Sequence, residues 1–326
     1  MKLNRRRFVA GASAVAGTLY MPSIVRAQTD KVAIGNVVGN SIYWDLIIAD
    51  RKGLFTKNGL EATFTNLQSS PQGIQMVISR SLDFVAVQPE PMVAAFEQGG
   101  TGIGALCAPM NKADWTLNVQ PDIEKLEDLR GKVIGVSALQ NSECWQTEEM
   151  LAQVGIGPDE FDFLVVGTSP SKIIALQQKS ISAAVLFQPS GELAVNEGHP
   201  ALIRYSGLRE YPSILYTVDR QWAATGAGAK TSAALKAAHE WLYDQSNREE
   251  AVTLLAEVTN RNPELLDRIY ESYFVTDPIY SKTAAVSLEG MTAALTDMIE
   301  KGGFMKSNTP DPDKYLIPES DGGLRA

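Results

Sequence analysis

Two stretches of this chain run through the same order of events. "SSPQGIQMVISRSLDFVAVQPEP" (69–91) and "TSPSKIIALQQKSISAAVLFQPSG" (168–191) both open on Ser-Pro and continue as an apolar pattern of helical spacing. Ile74, Val77 and Ile78 carry that pattern in the first, and Ile173, Ile174 and Leu176 in the second. Each then turns at a serine, Ser81 or Ser180, becomes an apolar strand, and stops at Gln88-Pro89 or Gln188-Pro189, the second copy being one residue longer between Ser and Gln. A helix followed by a strand is common to all α/β domains, but matched punctuation at both ends predicts two lobes built alike. Capping explains the openings locally, with Ser70 or Ser169 as N-cap and Pro71 or Pro170 at the first helical position.

The rest of the chain agrees with an α/β reading. Apolar runs of strand length recur at 31–38, 60–64, 83–87, 103–108, 132–136, 161–166, 183–187 and 202–205, separated by helical patterns, which predicts parallel sheets. Gly53 is placed to end a helix that carries Tyr43, Trp44, Leu46, Ile47, Ile48 and Ala49, and Gly59 makes the next turn. From Ala229 onward the pattern is helical only, broken at Asn262-Pro263 and Asp277-Pro278. A chain of 326 residues accommodates two domains of ordinary size.

The first 27 residues form a separate device: Lys2, Arg5, Arg6 and Arg7, then an apolar stretch over 8–21, then Val25-Arg26-Ala27. That is the order of a cleavable export signal, too short and too rich in small residues to span a membrane. Arg5-Arg6-Arg7-Phe8-Val9 resembles a twin-arginine signal, with Asn4 where Ser or Thr is commoner. Cleavage near Ala27 removes five basic residues and no acid, taking the formal charge from -9 to -14. So acidic a chain, without a basic run, is not suited to nucleic acid or to anionic membrane surfaces. Its two cysteines, Cys107 and Cys144, make no disulfide scaffold and are expected as buried free thiols.

Catalytic patterns are weak. His199 precedes a proline and His239 sits within a helical pattern, neither spaced with another metal ligand. "GTSPS" (167–171) lacks the second glycine of a nucleophile elbow, and "GGTGIG" (99–104) leads into a strand, whereas a nucleotide-binding loop opens a helix. No cofactor and no metal are expected. The Gln-Pro strand ends are more informative, because ligands of open α/β sheets bind beyond the carboxyl ends of strands, where helix N-termini present free amides. Glu90, between two prolines, suits the first turn of its own helix. Facing the cleft, it would disfavour a simple anion and favour a ligand with hydrogen-bond donors.

Five blocks carry a family resemblance: "ADRKGLFTKNGLEATF" (49–64), "SRSLDFVAVQPEP" (79–91), "LEDLRGKVIGV" (126–136), "SISAAVLFQP" (180–189) and "WLYDQSNREEAVTLLAE" (241–257). In that order they resemble the periplasmic solute-binding proteins of ABC importers, in the cluster for aliphatic sulfonates, taurine, nitrate and thiamine precursors. The resemblance implies a type II periplasmic-binding fold: two lobes, each a mainly parallel sheet flanked by helices, two crossover segments, here near 111–119 and 211–218, and a helical C-terminal region. Lobe I would comprise 28–112 and 213–326, and lobe II 113–212.

The family's ligand loops then fall on 40–44, 69–72, 88–90, 111–115, 137–142, 168–169 and 187–190. They nominate Ser41, Tyr43, Trp44, Ser70, Gln72, Gln88, Glu90, Trp115, Ser137, Asn141, Ser142, Thr168, Ser169, Phe187 and Gln188, with Lys112 the only base in these windows. The implied role is delivery of a small organic solute, sulfonate-like or carboxylate, by a monomeric periplasmic protein to a membrane permease and its ATPase. A pyrimidine, thiamine-precursor or other aromatic ligand is the alternative. So is a sensory receptor as partner, or an enzyme of pyrimidine-precursor synthesis on the same fold, whose cofactor lysine and reactive His or Cys find no counterpart in this chain.

Overall fold

The computed structural model describes residues 30–37, 43–67 and 69–326. The expected export signal and Ser41 lie outside them. One sheet contains β1 (Asp30–Val37), β2 (Leu60–Leu67), β3 (Phe84–Val87), β4 (Ile103–Met110) and, from far along the chain, β10 (Ile214–Asp219), in the order β2-β1-β3-β10-β4. The other contains β5 (Trp115–Val119), β6 (Val133–Val136), β7 (Asp162–Val165), β8 (Ala183–Phe187) and β9 (Ala201–Arg204), in the order β7-β6-β8-β5-β9.

The two sheets repeat one plan, as the paired sequence stretches predict. In the first, β1 sets Ile34 and Gly35 beside Phe84 and Val85, and in the second β6 sets Ile134 and Gly135 beside Ala183 and Ala184. The turn before the third strand uses a left-handed residue in both, Arg80 at φ 59° and Lys179 at φ 55°. A Cβ on Gly35 would meet Leu82 Cδ1 at 2.6 Å, and one on Gly135 would meet Ile181 Cδ1 at the same distance, so equivalent glycines admit equivalent side chains from those turns. The extra residue of the second copy lengthens β8 by one relative to the strand at Phe84–Val87.

Several expectations change. The stretches near 111–119 and 211–218 are not plain crossovers: β5 and β10 are fully buried strands inserted antiparallel into the sheets, between β8 and β9 and between β3 and β4. Each sheet is therefore mixed, parallel on one side and antiparallel on the other. A passing segment that must cross a buried edge satisfies its amides most simply by joining the ladder. The helix caps also move by one residue. Helix α3 (Ser70–Ile78) is capped by Ser69, whose Oγ accepts from the Gln72 amide at 3.4 Å, and α6 (Ser169–Gln177) starts after Thr168. Any amide of the first turn lacks an intrahelical partner, so Pro71 and Pro170 are tolerated one position further in.

The other helices of the sheet regions are α1 (Trp44–Arg51), α2 (Leu54–Lys57), α4 (Pro89–Glu97), α5 (Ser142–Gln153) and α7 (Ser190–Asn196). Gly53 separates α1 from α2 at φ 64°, as predicted. A one-turn α8 (Arg220–Trp222) leads to α9 (Gly228–Tyr243), α10 (Arg248–Thr259), α11 (Pro263–Glu271) and α12 (Leu288–Asp297). Leu235, Ala238 and Leu242 of α9 share a core with Trp44, Tyr270 and Phe274. The C-terminal stretch is not helical throughout, since Leu316 bridges Ala105 and Arg325 bridges Val286.

The chain leaves the first sheet after Met110 and returns after Arg204, and the two passages lie side by side. The Tyr211 amide donates to the Asn111 carbonyl at 2.8 Å and the Ser213 amide to that of Met110 at 3.2 Å. The Asn111 side chain ties this crossing to a third segment: Nδ2 donates to the Ala285 carbonyl at 2.8 Å, and Oδ1 accepts from the Ser287 amide at 3.0 Å.

Candidate functional site

Helix α4 begins directly after β3, and α5, α6 and α7 begin after β6, β7 and β8, so their free amides collect at the carboxyl edges of the parallel strands. Glu90 joins the two edges. From the first turn of α4 it reaches the opposite lobe, where Oε1 accepts from the Ser142 amide at 3.0 Å, and it also accepts from Tyr211 Oη of the second passage at 3.2 Å. Burial pushes its carboxyl above the usual range, while the bonds from Ser142 and Tyr211 pull the other way. Its second oxygen, Oε2, is shut off from solvent without a hydrogen-bond partner.

The second lobe holds a charged pair that sequence reasoning missed. Lys172 of α6 and Glu143 of α5 are both fully buried, with Nζ 3.1 Å from Oε2. Ser137 completes the group, its Oγ accepting from Lys172 at 3.1 Å and its amide donating to Glu143 Oε2 at 2.9 Å. The ammonium also stands 5.7 Å from the centre of the Phe187 ring. Lys172 lies just past the loop at 168–169, and nothing in its spacing distinguishes it from a solvated helix lysine.

The nominated residues divide into several groups. Gln88 and Gln188 occupy matched positions after β3 and β8, and each buries a side-chain Nε2 that has no partner. Gln188 Oε1 accepts from the Glu192 amide at 3.2 Å. Trp115 and Phe187 face each other across β5 and β8, in edge contact at 5.4 Å, and the indole Nε1 is unpartnered. Ser169 Oγ accepts from the Phe187 amide at 3.2 Å, and Asn141 caps α5 by accepting from the Cys144 amide at 3.2 Å. Ser142 bonds the Glu90 carboxylate through its side chain as well as its amide, and one turn further on the whole side-chain amide of Gln146, which sequence reasoning did not nominate, is buried without a partner. Trp44 is enclosed edge-on by Tyr270 and Phe274 at 5.6 and 5.8 Å. Tyr43 is buried with an unpartnered hydroxyl whose pKa burial raises, Asp114 and Asp45 adding to the shift. Ser70 is half-buried, whereas Gln72 and Thr168 are exposed, Thr168 Oγ1 meeting Ser171 Oγ at 3.1 Å.

A buried donor or acceptor left unpaired costs about 1–3 kcal/mol. Six of the residues with such atoms, Gln88, Glu90, Trp115, Glu143, Gln146 and Gln188, belong to the elements that meet at these carboxyl edges. The donors are the two glutamine Nε2 groups and the indole; Glu90 Oε2 and Glu143 Oε1 accept; the Gln146 amide can do both. The arrangement offers both hydrogen-bond donors and acceptors. It is not built for thiol chemistry: Cys107 and Cys144 are free and buried, and burial, with Glu143 next in weight, pushes the Cys144 thiol up to about 12. His239 is held by Asp45 Oδ2 at 3.1 Å and by the Ser281 carbonyl, a structural arrangement within the first lobe. Among the described residues no group of three or more His, Cys, Asp or Glu could hold a metal ion.

Two sheets of one plan, joined by paired passages with helix N-termini at the carboxyl edges, define a two-lobe periplasmic-binding-protein fold of type II. Solved structures share it. The periplasmic aliphatic sulphonate binding protein SsuA of Escherichia coli is 17% identical at a TM-score of 0.72, covering 90% of this chain and 99% of that one. The nitrate-binding protein NrtA of Synechocystis PCC 6803 is 16% identical at a TM-score of 0.68, covering 88% and 84%. Residues 26–256 match the NMT1-like family, and the chain belongs to it. A Brucella abortus (strain 2308) protein named as a binding protein is 24% identical over 333 residues, spanning 96% of this chain and 98% of its own.

Proposed function

We propose that this protein is an exported, monomeric solute-binding protein that captures a small organic solute between its lobes and presents the closed form to the permease and ATPase of an ABC importer. The observation that carries this reading is the matched pair Gln88 and Gln188, each offering a buried, unpartnered amide N–H from a different lobe. With the Trp115 indole they would hold the oxygens of a sulfonate or carboxylate, and the Trp115–Phe187 pair would supply an apolar wall. That wall also supports the second reading, an aromatic or pyrimidine guest. A bare inorganic anion is disfavoured, because Lys172 is already matched by Glu143, and Glu90 occupies the α5 amide that such an anion would seek.

In this reading lobe I comprises 28–112 and 213–326 and lobe II 113–212, they hinge at the passages around Asn111 and Tyr211, and the leader at 1–27 is removed on export. Solute favours closure only by as much as it binds the closed state more tightly than the open one. The test is a thermal-shift screen followed by calorimetry against alkanesulfonates, aromatic acids, pyrimidines and inorganic anions. Stabilisation by an organic solute without turnover supports the reading. Chemical conversion of the solute, or no stabilisation by any class, sinks it.

A further inference from the structure

Helix α5 belongs to the second sheet, yet one of its faces is held from outside that sheet. Ser142 and Glu149 stand two turns apart on that face. At the first position, Ser142 bonds the Glu90 carboxylate of α4 through its amide, at 3.0 Å to Oε1, and again through its side chain. At the second, Glu149 Oε2 lies 3.1 Å from Nη2 of Arg209, and the same nitrogen reaches Asp297 of α12 at 2.5 Å. The two holds converge on Tyr211 of the second passage. Its hydroxyl donates to Glu90 Oε1 at 3.2 Å, and the Arg209 guanidinium stands 5.5 Å from the centre of its ring. Glu90 is 6% exposed and the Asp297 side chain 5%, so water competes little for either carboxylate. The Glu149 side chain is more open, at 39%, and its ion pair is the weaker part of the arrangement.

Resting on the two-lobe reading above, we infer that these holds form a clasp between the lobes: Glu90 and Arg209 fasten α5 with the protein's own groups and keep the lobes together before solute arrives. Solute then tips an equilibrium already drawn toward closure, and little of its binding free energy goes into bringing the lobes together. The clasp acts on release as well, since the same bonds must break for the cleft to open.

The experiment is small-angle X-ray scattering of the purified protein, stripped of solute by unfolding, dialysis and refolding, so that it requires no knowledge of the solute. Wild type is expected to scatter as the arrangement described here. Glu90→Ala/Arg209→Ala is expected to show a larger radius of gyration, the ratio of closed to open forms falling by about tenfold for each hold lost. Glu90→Gln keeps an acceptor for Ser142 and is expected to stay compact. A cooperative melt shows that each variant is folded; where the double variant fails that check, Ser142→Ala/Glu149→Ala loosens the same holds from the α5 side. Wild type more expanded than this arrangement, or folded variants that scatter as wild type does, overturns the clasp. Neither result touches the solute-binding reading, which the thermal-shift screen decides separately.

Discussion

The Lys172 ammonium and the Glu143 carboxylate, both sealed from solvent, meet at 3.1 Å where the first turns of α6 and α5 come together. Deleting one partner strands the other charge in the interior. Lys172→Met is expected to destabilise the protein by about 3–5 kcal/mol, and the double variant Lys172→Met/Glu143→Leu to recover much of that loss. Urea denaturation measures these and the single variant Glu143→Leu, and a double variant as unstable as the sum of the two singles would contradict a coupled pair.

Gln88→Ala and Gln188→Ala remove the two unpartnered amides. Each is expected to weaken solute binding by about tenfold. Gln88→Ala should leave the unfolding midpoint nearly unchanged, whereas Gln188→Ala also loses the bond to the Glu192 amide and should lower it slightly. Calorimetry with any solute that stabilises the protein decides the matter; unchanged affinity in both variants excludes these side chains from the site.

Burial raises the Glu90 carboxyl above its unfolded value. A raised carboxyl pKa means the folded state holds the proton more tightly, so the contribution to stability is complete below the ordinary carboxylate range and is lost as pH rises through the folded pKa. Glu90→Gln, permanently neutral, should therefore gain Tm relative to wild type as pH goes from about 4 to about 8. Melting curves across that range test the sign, and a pH-independent difference would show that desolvation of this carboxylate is unimportant.

Asn111 holds the first passage to the segment at Ala285 and Ser287 through both ends of its amide. Asn111→Ala leaves a backbone carbonyl and an amide without their partner and should destabilise the fold by about 1–3 kcal/mol. Asn111→Asp keeps the acceptor for the Ser287 amide and loses only the donor to Ala285, so it should fall between. Guanidinium denaturation that ranks the aspartate below the alanine variant would refute this account of the crossing.

Local chemistry determined a great deal of this protein. The Ser-Pro starts and serine turns, the apolar runs between them and the Gln-Pro stops are short-range signals, and they were enough to place β3 and β8, the helices before them and the likeness of the two sheets. Strands β5 and β10 were not legible, because their place in the middle of a sheet depends on partners distant in the chain, Ala183 to Phe187 for one and Phe84 to Val87 for the other. The same holds for the site. Its glutamines were marked by the ends of strands and its aromatic candidates by the resemblance to a known family, but the burial of Lys172 against Glu143 and the reach of Glu90 to Ser142 are decided by packing between elements that approach each other only after the chain has crossed from one lobe to the other. Spacing along a chain reports which face of an element is apolar, and the group that waits opposite that face is known only once the tertiary structure has brought it there.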